Sequence, residues 1–256
     1  MILRKSQISI FLIFGLTIVI AMAFIIYLSN SEKRKPLESV EDYLFMEKNS
    51  IEKFAQSCLD YVLDVALDEL GEKGGYVYRK PGLKLQYTED YEFTFLYIDR
   101  TRFLPELNSM ILDVQKYIDE NYRYCIDDFV AYEQRKWIVR IPEIRSKVTI
   151  GESDVTASLP FPAKFVRNEL SFNLGTFNSV SKVRLKKIIR EAGNIIQDAE
   201  SAQLELDSGN EPSGPQSEFV RDGLLFLNYQ YPDTGRFLWI IKDKSYEFFF
   251  AVNLET

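Results

Sequence analysis

An uninterrupted run of apolar residues occupies positions 8–28 of the chain. The run holds no charged side chain, and its only polar ones are Ser9, Thr17 and Tyr27. A helix rises about 1.5 Å per residue, so this run would span roughly 30 Å, the thickness of the hydrocarbon core of a bilayer. A buried helix of that length would normally show a polar face, and this run shows none. We therefore expect a transmembrane helix over residues 7–29.

Three later segments follow the three-and-four spacing of amphipathic helices. The first begins at a capping box formed by Ser39 and Asp42, and Gly71 is its expected C-cap. Pro105 opens the second helix. The third covers residues 181–201 and is expected to pack on a sheet. Its apolar positions are Val183, Leu185, Ile188, Ile189, Ala192, Ile195, Ile196 and Ala199.

Segments of alternating or β-branched residues predict strands between and after these helices. Those in the middle of the chain read WIVRI, RSKVTIG, DVTASLPF, AKFV and LSFNLG. The chain ends in GLLFLNYQY, RFLWIIK and YEFFFAVN, which turns at residues 232–235 and 243–245 join into a meander. Residues 207–217 are poor in apolar side chains and are expected to form a mobile loop. The predicted fold class is α+β: a transmembrane helix, then a domain of amphipathic helices and antiparallel sheet that ends in a β-meander.

The charge of the chain excludes one class of binding partner. Residues 36–256 carry 26 basic and 37 acidic side chains, a net charge of −11, because the first 35 residues hold five basic and one acidic. A domain this acidic is repelled by nucleic acid and by anionic lipid. We therefore expect no nucleic-acid partner.

The residue types present restrict the chemistry further. Histidine is absent, which removes the commonest general base and the commonest transition-metal ligand. The two cysteines, Cys58 and Cys125, cannot form a four-ligand zinc site alone. Both lie on or beside the first two helices, so they are expected to form a disulfide in an oxidising compartment, with two buried thiols as the alternative. No metal or cofactor is expected.

Three polar motifs are candidates for catalysis or metal binding. Carboxylates recur at multiples of four residues on the first helix: Glu52, Asp60, Asp64 and Asp68. A straight helix does not supply the convergent oxygens that calcium needs, so we interpret them as a solvated face. Asp127 and Asp128 are adjacent, do not point the same way, and are expected at a helix end or in a loop.

The third motif is the S-x-x-K spacing of penicillin-binding enzymes. It occurs at Ser50 with Lys53 and at Ser179 with Lys182, without an S-D-N or K-T-G partner. Serine is a common N-cap, so both serines are expected to begin helices. No catalytic residue is assigned.

The stretch RKSQISIFLIFG introduces the apolar run and bears on where the chain is placed. It resembles the class III leader of archaeal type IV pilin-like proteins. The motif residues are Arg4, Lys5, Gln7 and Ser9. The resemblance implies that a prepilin-type peptidase cuts between Ser6 and Gln7, which leaves the helix on the mature protein and residues 1–6 in the cytoplasm. The chain departs from that pattern at Phe11, where such pilins often carry glutamate.

Two other interpretations of the leader stay open. The run is either a plain signal anchor without processing or a secretory signal cut after AMA at residues 21–23, although the apolar run continues past that point. Less distinctly, the layout of SCLDYVLDVALDELGEKGGYV, YCIDDF and YEFFFAVN resembles uncharacterised membrane-anchored archaeal proteins. That second resemblance implies no particular activity.

These observations favour a non-enzymatic, surface-exposed structural or interaction protein, with a pilin-like subunit as one form of it. Its expected partners are the lipid bilayer, through residues 8–28, and a second copy or another surface protein. A basic linker at residues 30–38 leads to a domain at 39–256, which the short N-terminal side and the leader resemblance place outside the cytoplasm. The alternative is an anchored extracytoplasmic hydrolase acting on glycans through two opposed carboxylates in an aromatic-lined cleft.

Overall fold

The computed structural model describes residues 40–80, 83, 85–87, 92–207, 218–230 and 235–254, together with the single positions 20, 22 and 24. The predicted leader with Ser6 and Gln7, the linker at 30–38 and most of the loop at 207–217 lie outside the described residues. Of the predicted transmembrane segment, only Ile20, Met22 and Phe24 are described, and all three are helical and exposed. Within the described part of the chain, no helix is both long and apolar enough to cross a membrane.

The chain divides into two units, residues 1–47 and residues 48–256. In the first unit, the described residues are helical and include the exposed Phe45 and Met46. The second unit contains the hydrophobic core. The described part of the chain is α+β, with antiparallel sheets and one mixed sheet.

Four α-helices are described. They are α1 (Val40–Glu72), α2 (Leu107–Cys125), the single turn α3 (Val130–Glu133) and α4 (Leu185–Asp207). Each long helix buries the stripe that its apolar spacing predicts. On α4, Ile188 and Ala192 are fully buried, and the helix contacts the strands of the C-terminal meander. A buried Ile or Leu side chain contributes roughly 1.5–3 kcal/mol, so these stripes hold the helices on the sheets.

Thirteen strands are described. They are β1 (Leu85–Tyr87), β2 (Glu92–Ile98), β3 (Thr101–Arg102), β4 (Ile138–Arg140), β5 (Lys147–Ile150), β6 (Val155–Pro160), β7 (Lys164–Arg167), β8 (Leu170–Asn173), β9 (Thr176–Ser181), β10 (Glu218–Arg221), β11 (Leu224–Gln230), β12 (Arg236–Asp243) and β13 (Tyr246–Asn253). The large sheet has the order β1-β2-β13-β12-β11-β10, with β3 paired to β2. Two smaller sheets have the orders β4-β7-β8 and β5-β6-β9.

The predicted C-terminal meander is confirmed, because β11, β12 and β13 pair antiparallel in sequence order. The sheet is not antiparallel throughout, however. Strand β13 also pairs with β2 in parallel, with Ala251 opposite Phe95 and Val252 opposite Tyr97. Apolar side chains of these two strands form a cluster with Leu238, so β2 and the C-terminal meander share one core.

Three predicted helix ends differ from the structure. Helix α2 begins at Leu107 with Glu106 as its extended N-cap, so Pro105 precedes the helix and does not open it. Helix α1 continues through Gly71 to Glu72, and the glycine serves close packing: a Cβ there would lie 2.2 Å from the carbonyl oxygen of Glu247. The turn that follows uses Gly74 and Gly75, both with positive φ. Helix α4 begins at Leu185, because Ser181 still pairs with Val155 in the sheet.

Candidate functional site

A disulfide joins the two long N-terminal helices of the core. Cys58 on α1 and Cys125 at the end of α2 are bonded, with Cα atoms 5.7 Å apart, as the sequence predicted. One turn earlier on α1, the carbonyl oxygen of Ala55 accepts a hydrogen bond of 3.1 Å from the buried hydroxyl of Tyr122. The two helices are therefore fixed against each other at one end by a covalent and a polar contact.

Aromatic side chains lie on the outer side of this helix pair. We call this set the aromatic seam: Phe54, Tyr61, Tyr117 and Tyr124. Burial, followed by the charges of Glu69 and Tyr61, raises the pKa of Tyr117 on α2. Tyr124 lies seven residues after Tyr117, about two helical turns, and so shares its face.

The aromatic seam is open to solvent. Tyr61 is 64% exposed and Tyr124 is 81% exposed. Phe54 is 40% exposed, and its ring lies 6.2 Å from that of Phe129 in an edge-on arrangement. Tyrosine and phenylalanine are enriched in protein–protein interfaces because they bury a large apolar area at low entropic cost. The seam therefore has the composition of a contact surface.

A cleft of about 490 Å³ lies between the C-terminal half of α1 and the segment after β9. Asp64 and Asp68 line it from α1, and Lys182 lines it from the opposite side. Burial, followed by the charges of Asp64 and Glu69, raises the pKa of Asp68. Tyr246 also lines the cleft, and its buried hydroxyl has no hydrogen-bond partner among the described residues.

A second cleft of about 460 Å³ lies farther along α1 toward its N-terminus. Glu52 and Asp60 line it, and Gln56 crosses it to donate a hydrogen bond of 2.9 Å to the carbonyl oxygen of Asn178. In both clefts every carboxylate among the lining residues comes from α1. Neither cleft presents the pair of opposed carboxylates that glycoside hydrolysis requires.

Both serines of the S-x-x-K motifs lie elsewhere than predicted. Ser50 is inside α1 and Ser179 is buried in β9, so neither begins a helix. Helix α1 starts at Val40, ten positions before Ser50, and Ser179 pairs with Ala157 in the β6–β9 ladder. Strand pairing between β6 and β9 therefore determines the position of Ser179, and the preference of serine for helix N-caps does not.

Asp127 and Asp128 follow α2, as predicted for a helix end. With Phe129 they form a turn in which all three residues have positive φ, between 46° and 58°. Such a conformation costs a non-glycine residue roughly 1–2 kcal/mol. Burial of the Phe129 ring against Phe161 and Phe165 offsets this cost.

A pocket of about 330 Å³ lies between α4 and strands β10 to β13 of the large sheet. Its walls are mostly apolar and include the half-buried rings of Phe237 and Trp239 and the more exposed ring of Phe219. Asn228 pairs opposite Trp239 in the sheet and lines the same pocket. Sequence spacing does not reveal this pocket, because its residues come from five separate segments. We call it the aromatic pocket.

Among the described residues, no group of three or more Cys, Asp or Glu side chains is arranged to hold a metal ion. Comparison with known proteins adds no assignment: no protein-family model, no curated protein and no solved structure matches the chain.

Proposed function

We propose that this chain is a membrane-anchored, surface-exposed interaction protein, with a pilin-like subunit as one form of it. The apolar run at residues 8–28 anchors it in the lipid bilayer, and the domain at residues 39–256 lies outside the cytoplasm. The aromatic seam contacts a second copy of the chain or another surface protein.

One feature of the molecule carries this proposal: an exposed aromatic surface on two helices that a disulfide holds together. Disulfides persist in oxidising compartments, so the Cys58–Cys125 bond supports a place outside the cytoplasm. The bond also keeps α1 and α2 from separating. A rigid surface loses less conformational entropy when it binds a partner, which favours the interaction.

The acidic charge of the domain agrees with this role. Residues 36–256 carry a net charge of −11, which keeps the domain in solution and away from anionic lipid headgroups. The hydrolase alternative has less support, because the carboxylates of both clefts beside α1 come from that one helix.

Site-specific photo-crosslinking tests the proposed surface. A benzophenone amino acid at Tyr124 in the full chain, irradiated in native membranes, should give one discrete higher-mass adduct. The same amino acid at Val220, which is 70% exposed on β10, is the matched control and should give none. Mass spectrometry of the adduct separates a second copy from another protein. Equal crosslinking from both positions, or none from Tyr124, would contradict the proposal.

The mature N-terminus tests the anchor separately. Mass spectrometry of the protein from native membranes should find Gln7 as the first residue if the leader is processed as in pilin-like proteins, or an intact N-terminus for a plain anchor. A chain that begins after Ala23 has lost most of the apolar run and would remove the anchoring part of the proposal.

A further inference from the structure

The aromatic pocket has the size and lining of a small-molecule site. Its volume of about 330 Å³ falls in the range of about 300–1,000 Å³ that is typical of such pockets. Helix α4 closes one side and the sheet closes the other. On the sheet, Asn228 and Trp239 are cross-strand partners and therefore point to the same face.

The rings of the pocket favour a flat or cationic guest. Phe219, Phe237 and Trp239 line the space, and Phe219 also stacks on Phe226 with ring centroids 4.7 Å apart. That stacking holds the Phe219 ring in place. Aromatic faces attract other rings in offset or edge-on arrangements, and they attract cations through their quadrupole.

The polar atoms of the pocket favour a guest that donates hydrogen bonds. The Oδ1 atom of Asn228 is buried and has no hydrogen-bond partner among the described residues. An acceptor left unpaired in a buried place costs about 1–3 kcal/mol, and a donor on a ligand would remove that cost.

The charges at the pocket favour a positive guest. Arg221 lines the pocket, but its guanidinium bonds the buried carboxylate of Glu191 and lies over the ring of Phe226. Its charge is thus largely neutralised. Asp198 is exposed on α4 at the rim, and no ion pair joins it to another described residue. The net attraction at the rim is therefore for a cation.

We propose that the aromatic pocket binds a small aromatic amine, with its ring between Phe237 and Trp239, its ammonium group near Asp198 and a donor toward Asn228. This binding is a function beyond the protein contact proposed above, and it does not depend on the aromatic seam or on the orientation of the anchor.

The chain offers a direct reporter for such binding. It contains two tryptophans, and Trp137 is buried in a separate cluster with Phe165 and Phe172. The variant Trp137→Phe therefore leaves Trp239 as the single tryptophan. Its emission is followed in the full chain in a non-ionic detergent. Calorimetric titration of the unmodified chain provides a second measurement that does not depend on this variant.

Three probes of similar size separate the contribution of the aromatic ring from that of the charge. Tyramine has the ring, a hydroxyl and an ammonium group, p-ethylphenol lacks the charge, and p-hydroxyphenylacetate carries the opposite charge. We expect tyramine to change the Trp239 emission saturably and to bind about tenfold more tightly than p-ethylphenol, since a desolvated cation–π contact and a nearby carboxylate together supply that factor. The anion should bind most weakly.

Two variants decide the outcome. Asp198→Asn should weaken tyramine binding and leave only the cation–π part of its advantage over p-ethylphenol, while the affinity for p-ethylphenol stays the same. The matched change Asp60→Asn on α1 should leave both affinities as they were. Absence of saturable tyramine binding by both methods would overturn the proposal. Tighter binding of the anion, or unchanged tyramine binding in Asp198→Asn, would overturn it as well.

Discussion

Arg184 donates three hydrogen bonds to the buried carboxylate of Asp243. The backbone N–H and Nε reach Oδ2 at 3.0 Å each, and Nη2 reaches Oδ1 at 2.7 Å. The same guanidinium also donates to the carbonyl oxygens of Asp222 and Gly223. The start of α4 is thereby tied to the turns β10–β11 and β12–β13. These ties fix the N-terminal end of α4 against the large sheet.

The first prediction concerns this pair. Arg184→Ala leaves the Asp243 side chain, which is fully buried, without its cation. Breaking a buried ion pair in this way typically costs about 3–5 kcal/mol of unfolding free energy. Arg190→Ala, at an exposed arginine on the same helix, should cost less than about 1 kcal/mol. Denaturant unfolding of the full chain in detergent, followed by circular dichroism, measures both; equal losses would contradict the assigned role of Arg184.

The same pair predicts a pH dependence. Burial alone would raise the pKa of Asp243, but the hydrogen bonds from Arg184 outweigh it and hold the pKa below its ordinary value of 3.8. The stability that the pair contributes is thus complete above about pH 4 and is lost as the pH falls through the lower, folded-state pKa. In Arg184→Ala the buried carboxyl should titrate above its ordinary range. The loss of unfolding free energy caused by Arg184→Ala should therefore become smaller as the pH falls from about 7 to 4. A loss that does not change with pH would contradict this account.

The second prediction uses two glycines inside helices. Gly71→Ala should destabilise the fold, because the new Cβ would lie 2.2 Å from the carbonyl oxygen of Glu247. Gly193→Ala meets only Leu104 at 3.4 Å and should stabilise the fold by up to about 1 kcal/mol, the difference in helix propensity. Thermal unfolding of both variants checks the opposite signs. A gain for both would mean that α1 does not pack closely on β13.

The third prediction concerns the disulfide. The Cys58–Cys125 bond closes a loop with a sequence separation of 67, which the chain-entropy model values at about 4 kcal/mol. The double variant Cys58→Ser, Cys125→Ser should lose about that much unfolding free energy. Reductant should lower the stability of the natural chain and leave that of the variant unchanged. A natural chain that is indifferent to reductant would refute the structural role of the bond.

Parts of the fold that depend on local spacing could be predicted from the sequence. The stripes of α1, α2 and α4 repeat every three to four residues, and burial of that stripe is what holds each helix in place. The disulfide could also be predicted, because the chain has only two cysteines and both lie at helices that pack together. The meander followed from three adjacent aromatic strands with short turns.

Features that depend on distant partners could not be predicted. Nothing near Phe95 indicates that it lies opposite Ala251 in a parallel pair, because the two are more than 150 residues apart. Helix α4 begins later than the sequence predicts, because Ser181 is paired in β9. Gly71 resembles a helix cap in the sequence, but the structure shows that it is needed for the close approach of Glu247. The aromatic pocket has the same origin: Asn228 and Trp239 meet only through strand pairing.

The side of the membrane on which the domain at residues 39–256 lies is tested most directly by adding protease to intact cells. Residues 207–217 are the expected cleavage region, since they are polar and rich in glycine, proline and serine. If the domain lies outside the cytoplasm, cleavage there should occur before lysis, while a cytoplasmic marker protein stays intact. Full protection of the domain, with cleavage only after lysis, would place it inside and contradict the central claim of a surface-exposed interaction protein.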